Sequence, residues 1–273
     1  NTPETHDWFK SWRTYYKGIA PDAMAIGEVW DSTANITKYL RGDELDLAFN
    51  FDLADSWVGG VSGGTGNVIN FINKYEFERT KGVIFATFLT NHDMNRVMNQ
   101  LNGDIDKVKL AATLMLTFPG VPFIYYGEEI GMSGTKPDED IRLPMQWSGD
   151  KNAGFTSGIP WRAPYKDYTS LNVIAQDSDP NSLLNYYRQL IHLRLDNSAL
   201  LSGDLLPIDA SNNGVVAYVR EDDDQTFLIL ANLSNQDVSD VNLTLESSKM
   251  TGVLTPKVLI GEGTPATVTV GEN

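Results

Sequence analysis

Four carboxylic acids lie at or just beyond the C-terminal ends of apolar runs that are predicted to be strands. They are Glu28, Asp52, Asp93 and Glu128, and His92 directly precedes one of them. Burying a carboxylate beside apolar strands is costly unless the group is paired or used. Each acid alone could simply accept hydrogen bonds at the rim of a sheet, but Glu28 and Asp93 together, with His92 adjacent, favour a functional role.

Two carboxylates that face one cleft fit glycoside hydrolysis. One acid protonates the leaving oxygen, and the other attacks the sugar or activates a water molecule. Arg142 and Arg96 could clamp hydroxyls or carboxylates with their fixed fork of donors. For Arg96 we instead expect a structural ion pair with one of the many acids.

Aromatic residues that we expect in loops would suit stacking on sugar rings, although core or loop packing explains each of them more simply. These residues are Trp57, Trp147, Trp161 and Tyr165.

The elements that must position the acids form an alternating pattern. Short apolar runs bounded by turn residues predict buried strands, and stretches between them have helical periodicity. Alternation of this kind predicts parallel pairing through right-handed crossovers, and in a barrel of parallel strands the catalytic groups lie at the C-terminal strand ends. The predicted strands are 24–30, 45–51, 83–89 and 121–126; helices are predicted from Thr2-Pro3 to Gly18 and at 68–75, 105–118 and 182–197.

The pattern changes after Asn197. Predicted strands at 215–219, 227–231, 241–245 and 266–270 follow one another without helices, which is typical of an antiparallel sheet or sandwich. We therefore predict two domains, 1–197 and 198–273. The long polar segment 133–181 in the first domain is predicted to be a functional loop.

Composition excludes several functions. Lys and Arg total 21 against 36 Asp and Glu, a formal net charge of −15, which argues against nucleic acid and anionic membranes as partners. No cysteine and only three histidines are present, so we assign no metal ligand. Asp138, Glu139 and Asp140 could bind calcium, but they lack the spacing of an EF-hand loop.

Four segments together resemble the α-amylase family, glycoside hydrolase family 13. Ala25-Ile-Gly-Glu-Val-Trp30 is similar to the family's strand-five motif, and Phe88-Leu-Thr-Asn-His-Asp93 to its strand-seven motif. Gly120-Val-Pro-Phe-Ile-Tyr-Tyr-Gly-Glu-Glu129 resembles strand eight, and Arg142-Leu-Pro-Met-Gln-Trp147 resembles a loop of oligo-1,6-glucosidases and related amylases. The resemblance implies the C-terminal half of a (β/α)8 barrel, strands five to eight, followed by an antiparallel β-domain.

The same resemblance implies roles for four residues. Glu28 would be the general acid/base, and Asp93 the carboxylate that holds sugar hydroxyls and stabilises the oxocarbenium-like transition state. His92 would bind the same sugar. Arg142 would contact that sugar or hold a partner acid. The residues alone would also allow Glu28 and Asp93 to be the complete pair of an inverting enzyme, whereas the family mechanism is retaining.

The family's nucleophile, an Asp in a strand-four motif, has no counterpart here. The resemblance therefore implies that the first four strands, the nucleophile and any calcium site belong to a missing N-terminal half. We expect that half as a partner, because half a barrel exposes two sheet edges. No cofactor is expected in this segment, the chain alone is expected to be inactive, and a secreted bacterial enzyme is favoured over a cytoplasmic one.

The expected activity is hydrolysis of α-1,4 or α-1,6 bonds in starch-like glucans. The nearest alternative is a transglycosylase of the same family that forms trehalose or isomaltulose. A non-catalytic carbohydrate-binding homologue is a third interpretation, against which the intact Glu28, His92 and Asp93 argue.

Overall fold

A computed structural model describes residues 2–73, 82–246, 249–250, 252–262 and 267–270 of the chain. The end of the predicted helix 68–75 and the start of the predicted strand 266–270 lie outside these residues. The helices are α1 (Pro3–Ile19), α2 (Thr33–Ile36), α3 (Phe51–Gly63), α4 (Asn67–Phe71), α5 (Val97–Gln100), α6 (Ile105–Thr117), α7 (Asp138–Ile141), α8 (Val173–Asp177), α9 (Leu183–Leu195) and α10 (Ser198–Ser202). The strands are β1 (Ile26–Gly27), β2 (Leu47–Ala48), β3 (Ala86–Thr87), β4 (Val121–Pro122), β5 (Asp204–Ala210), β6 (Val215–Glu221), β7 (Thr226–Asn232), β8 (Leu243–Leu245), β9 (Gly252–Leu254) and β10 (Val268–Val270).

The first four strands run parallel in chain order. β1 pairs with β2, β3 pairs with β4, and a parallel bridge between Phe49 and Ala86 joins the two pairs. The carboxyl ends of these strands therefore meet at one edge. Each strand pair is only two residues long. The predicted strands of six or seven residues therefore lie at the correct positions, but their predicted lengths are too great.

The parallel strands were expected to be buried on both faces, and this is wrong for several side chains. Ile26, Ile84 and Val121 are between 37% and 57% exposed, whereas Ala48 and Ala86 are fully buried. The physical reason is position in the sheet: β2 and β3 have a neighbour on each side and bury both of their residues, whereas β1 and β4 are the outer strands of the described chain, and Ile84 lies before the paired part of β3.

The helices α3, α6 and α9 form the main core together with strands of the C-terminal sheet. Trp57 of α3, Leu114 of α6 and Tyr187 of α9 belong to the same buried cluster as Val216 of β6. Their starts follow local capping rules, since the side chains of Asn50, Asp104 and Ser182 accept backbone N–H bonds at the respective N-termini.

The C-terminal sheet is antiparallel, in the order β7-β6-β5-β8, and β9 pairs with β10 separately. It is fixed to the first part of the chain by Arg220, which is fully buried and donates to the carbonyl oxygen of Thr117 at the end of α6, at 2.6 Å. Arg220 also donates to the carbonyl oxygen of Gly203, just before β5, at 3.0 Å. Tyr218 adds a 2.6 Å hydroxyl contact to Thr117. The two parts thus share one core. The boundary at residue 198 stays a prediction; α10 lies just after it and precedes β5.

Among the residues that the structure describes, no helix combines the length and apolar character needed to cross a bilayer.

Candidate active site

Glu28 and Asp93 follow two strands of the same parallel arrangement. Glu28 comes directly after β1, and Asp93 lies in the turn after β3. Because parallel strands end at a common edge, both carboxylates belong to that edge. Glu28 is exposed and the Asp93 side chain is 34% exposed, so neither is walled off from solvent. Within the described chain, no hydrogen bond or ion pair joins Glu28 to Asp93.

His92, Asp93, Asp138 and Arg142 form a connected group, which we call the Asp93 cluster. Arg142 Nη2 donates to Asp93 Oδ1 at 2.6 Å, and Arg142 Nε donates to the carbonyl oxygen of His92 at 2.8 Å. His92 Nε2 lies 3.3 Å from the second carboxylate oxygen, Oδ2. Three of the four predicted site residues therefore lie together, and Glu28, at the same edge, makes no hydrogen bond or ion pair with them in the described part of the chain.

Asp138 is the member that the sequence analysis considered only as a possible calcium ligand and did not assign to the sugar site. Its Oδ2 accepts from Arg142 Nη2 at 2.9 Å, and its Oδ1 pairs with Lys136. The hydrogen bond from Lys136 and the charge of Arg142 lower the pKa of Asp138. The signal that could have found it is the spacing of four between Asp138 and Arg142, which places both on one side of a helical turn.

Glu128, the acid after β4, faces inward and not toward the site. It is 2% exposed; the Tyr187 hydroxyl lies 2.9 Å from one carboxylate oxygen and the Thr90 hydroxyl 3.4 Å from the other. Burial raises the pKa of Glu128 to about 8, against the lowering effect of these two hydroxyls. Glu128 is therefore a protonated core acid at neutral pH.

The side chains of Asp52 and Arg96 are also held by backbone groups of the protein. Asp52 Oδ2 accepts from the backbone N–H of Thr33 at 2.6 Å. Arg96 is 1% exposed, and the ion pair expected for it is wrong for the described chain. Its guanidinium donates to two carbonyl oxygens, at 3.1 Å to Ile141 and 2.7 Å to Tyr126. Its guanidinium carbon also lies 4.6 Å from the Tyr125 ring centre.

Comparisons with known proteins decide the family. Residues 1–203 match the family model described as "Alpha amylase, catalytic domain", and residues 207–268 match "Maltogenic Amylase, C-terminal domain". The chain belongs to the α-amylase family. The resemblance carried by the four sequence motifs is thereby confirmed.

Individual members of the α-amylase family agree with this assignment. Alpha-amylase 3 of Dictyoglomus thermophilum is 38% identical over 237 residues, which cover 83% of this chain and 46% of that protein. The crystal structure of an alpha-amylase from H. orenii is 34% identical with a TM-score of 0.71, covering 85% of this chain and 48% of the other. An isomaltulose synthase from Erwinia rhapontici NX5 is 28% identical with the same TM-score, covering 85% and 50%.

The chain thus spans about half the length of these α-amylase-family proteins. The predicted fold, the C-terminal half of a (β/α)8 barrel followed by an antiparallel all-β domain, is confirmed by the two family matches and the structural likeness. The four parallel strands described above are the barrel strands of this half.

The aromatic residues divide into core and surface. Trp57 was expected in a loop, which is wrong: it lies in α3, fully buried, with its ring centre 5.3 Å from that of Phe118. Trp147 and Trp161 are 49% and 61% exposed, and Tyr165 packs against a small core cluster.

Trp30 is an exposed aromatic residue that the sequence analysis did not assign to the site. It is 65% exposed, two residues beyond Glu28, and one face of its ring stacks on Phe51 at 4.5 Å and 16°. The other face is open at the same edge as Glu28. The sequence feature that could have assigned Trp30 to the site is its position in the same motif as Glu28.

The acidic run at Asp138–Asp140 is occupied by cations of the protein itself. Asp138 pairs with Lys136 and Arg142, and Asp140 pairs with Arg162. No group of three or more candidate metal ligands is present in the described part of the chain. The carboxylates of Asp138 and Asp140 therefore face the protein's own cations in this arrangement.

Proposed function

We propose that this chain carries the acid/base and the transition-state-stabilising carboxylate of a retaining glycosidase that acts on α-1,4 or α-1,6 bonds of starch-like glucans. Glu28 is the general acid/base and Asp93 the stabilising carboxylate. The observation that carries the proposal is their common position at the carboxyl edge of the parallel strands in a member of the α-amylase family.

The chemistry assigns one task to each residue. Glu28 delivers its proton to the glycosidic oxygen as the bond from that oxygen to the sugar carbon breaks. Asp93 Oδ2 and His92 accept and donate hydrogen bonds with the hydroxyls of the same sugar, and the negative charge of Asp93 stabilises the positive charge that develops on the ring. Arg142 holds Asp93 Oδ1 in place.

Retention requires a nucleophile, and this chain offers no counterpart of the family's strand-four Asp. We assign the nucleophile to the upstream half of the barrel, which is thus a partner of this chain alongside the α-glucan substrate. The exposed apolar side chains of the edge strands, Ile26 of β1 and Val121 of β4, support this assignment because completing the barrel would cover them. The chain alone is expected to be inactive.

A transglycosylase is the second candidate, favoured by the likeness to the isomaltulose synthase. The same residues would serve both reactions, since water and a sugar hydroxyl can each accept the glycosyl group. Product analysis on maltose, sucrose and starch separates the two: free monosaccharides from the disaccharides and shorter glucans from starch indicate hydrolysis, and a disaccharide isomeric with the maltose or sucrose supplied indicates transfer.

The test is Glu28→Gln in the chain combined with its upstream half. Loss of the acid/base is expected to reduce release of reducing sugar from maltooligosaccharides by ~10²–10⁴-fold. The matched control is Asp22→Asn, an exposed acid just before β1, which should leave the rate unchanged. Activity that survives Glu28→Gln would show that the assignment of Glu28 is wrong.

A further inference from the structure

One guanidinium nitrogen in the Asp93 cluster is shared between two carboxylates. Arg142 Nη2 lies 2.6 Å from Asp93 Oδ1 and 2.9 Å from Asp138 Oδ2. This nitrogen carries two hydrogens, so each carboxylate receives one. The Nε hydrogen points to the carbonyl oxygen of His92 at 2.8 Å. The orientation of the guanidinium group is therefore fixed from three directions.

Asp138 is held in turn by its own surroundings. It is the first residue of α7, and Arg142 follows the last, so the helical turn brings the two side chains to the same side. Lys136 pairs with its other carboxylate oxygen. Both oxygens of Asp138 thus face a cation, and the carboxylate is anchored on the same guanidinium nitrogen that contacts Asp93.

Without Asp138, the Arg142 guanidinium loses one of its three acceptors, and only the His92 carbonyl oxygen still opposes its rotation toward Asp93. An arginine beside a carboxylate prefers the two-bond fork arrangement, in which both carboxylate oxygens are occupied. In the present arrangement Arg142 uses only Oδ1 of Asp93, and Oδ2 faces His92 Nε2 at 3.3 Å. A fork would engage Oδ2 as well and withdraw it from sugar hydroxyls.

We propose that Asp138 is a positioning residue that restricts Arg142 to one hydrogen bond with Asp93 and so keeps Asp93 Oδ2 and His92 available to the sugar. This inference rests on the proposed function, since it assumes that Asp93 contacts substrate. The side chains of Asp93, Asp138 and Arg142 are 34%, 43% and 38% exposed. Exposed pairs of this kind add little to the stability of a fold, so the effect of Asp138 is on geometry.

The experiment compares Asp138→Ala and Asp138→Asn with the control Glu139→Gln. Glu139 is the next residue of the same helix and is exposed, so the control removes a neighbouring charge without touching Arg142. Crystal structures of the variants of this chain locate the Arg142 guanidinium. Thermal unfolding measures stability, and kinetics on maltooligosaccharides are measured with the chain combined with its upstream half.

The expected result has three parts. In Asp138→Ala, Arg142 forms the two-bond fork with Asp93, and kcat falls about fivefold, which is the rate equivalent of one exposed ion pair, with little change in KM. Asp138→Asn retains an acceptor oxygen for Arg142, so its kcat lies between those of wild type and Asp138→Ala. Glu139→Gln matches wild type, and all variants unfold at the same temperature.

The proposal is overturned if Arg142 keeps its single contact to Asp93 in Asp138→Ala, if Glu139→Gln lowers kcat as much, or if the loss of kcat follows a loss of thermal stability. A wild-type protein without any glycosidase activity would instead contradict the proposed function. The Arg142 geometry in the Asp138→Ala crystal structure would still decide the positioning role in that case.

Discussion

Acids that occupy equivalent places in the sequence meet opposite surroundings in the fold. Asp93 is partly exposed and bound by the guanidinium of Arg142, whereas Glu128 is buried and contacted by two neutral hydroxyls. Both follow parallel strands at the same edge. The difference comes from burial: removal from water raises the pKa of Glu128 to about 8 although both hydroxyls lower it, whereas Asp93 stays in contact with solvent beside a guanidinium.

Glu128→Gln is expected to change the pH dependence of stability. The pKa of Glu128 is about 8 in the folded protein and about 4.5 when exposed, so between these values the unfolded chain releases the proton and the folded chain keeps it. The free energy of unfolding therefore falls as pH rises from 4.5 to 8. Below pH 4.5 and above pH 8, the titration of Glu128 no longer changes it. Gln carries no proton to lose, so the variant should be more stable than wild type at pH 8.

Urea unfolding of both proteins at pH 5 and pH 8 measures this effect. The two unfolding midpoints should lie close together at pH 5 and diverge at pH 8, with the variant higher. Glu139→Gln, at an exposed position, is the control and should show no such divergence. A wild-type protein whose advantage over Glu128→Gln grows with pH would contradict the burial argument.

At the scale of elements, one arginine joins α9 to the end of α6. Arg194 is 4% exposed and donates to the carbonyl oxygens of Leu116, Phe118 and Gly120 at 2.8, 2.8 and 2.6 Å. The last carbonyls of a helix lack partners within it, and a cation there also interacts favourably with the helix dipole. Arg194 thus connects α6, the turn into β4 and α9.

Arg194→Met is expected to lower the free energy of unfolding by about 3 kcal/mol, because buried carbonyl oxygens lose charged hydrogen-bond donors. The matched control on the same helix is Arg188→Met, which removes an exposed pair with Asp177 and should cost less than about 1 kcal/mol. Urea unfolding provides both values. An equal decrease in the free energy of unfolding in the two variants would show that the carbonyl contacts of Arg194 stabilise the fold no more than an exposed ion pair does.

Local signals predicted the elements well, and long-range contacts account for the failures. Thr2-Pro3 and Ser182 cap α1 and α9 as their sequences indicate. Strand β5 was not predicted, since Pro207 interrupts its apolar pattern and only pairing with β6 and β8 extends it. Motifs placed Asp93 and Arg142 in the site, but nothing near Glu128 in sequence reveals Tyr187, which is 59 residues away and keeps that acid in the core.

At the scale of the molecule, helix α1 has an aromatic face without a partner in the described chain. None of its residues is buried. Its large aromatic side chains are exposed to solvent: Trp8 by 57%, Trp12 by 36% and Tyr15 by 70%. The rings of Trp8 and Trp12 are nearly parallel, 6.0 Å apart. Exposed large aromatic side chains gathered on one helix form an apolar surface of the kind that marks an interface.

We expect the isolated chain to self-associate through this surface, or to bind the upstream half of the barrel where that half is present. Replacing Trp8 and Trp12 together by Gln should shift the chain toward monomer in size-exclusion chromatography with light scattering, because it removes apolar area that association covers. Ile159→Gln is the control: Ile159 is 98% exposed but lies in a separate loop, so it should leave association unchanged. A stable, monodisperse wild-type monomer of 30.2 kDa would contradict the expectation, since the same exposed aromatic face would then persist in water without a partner.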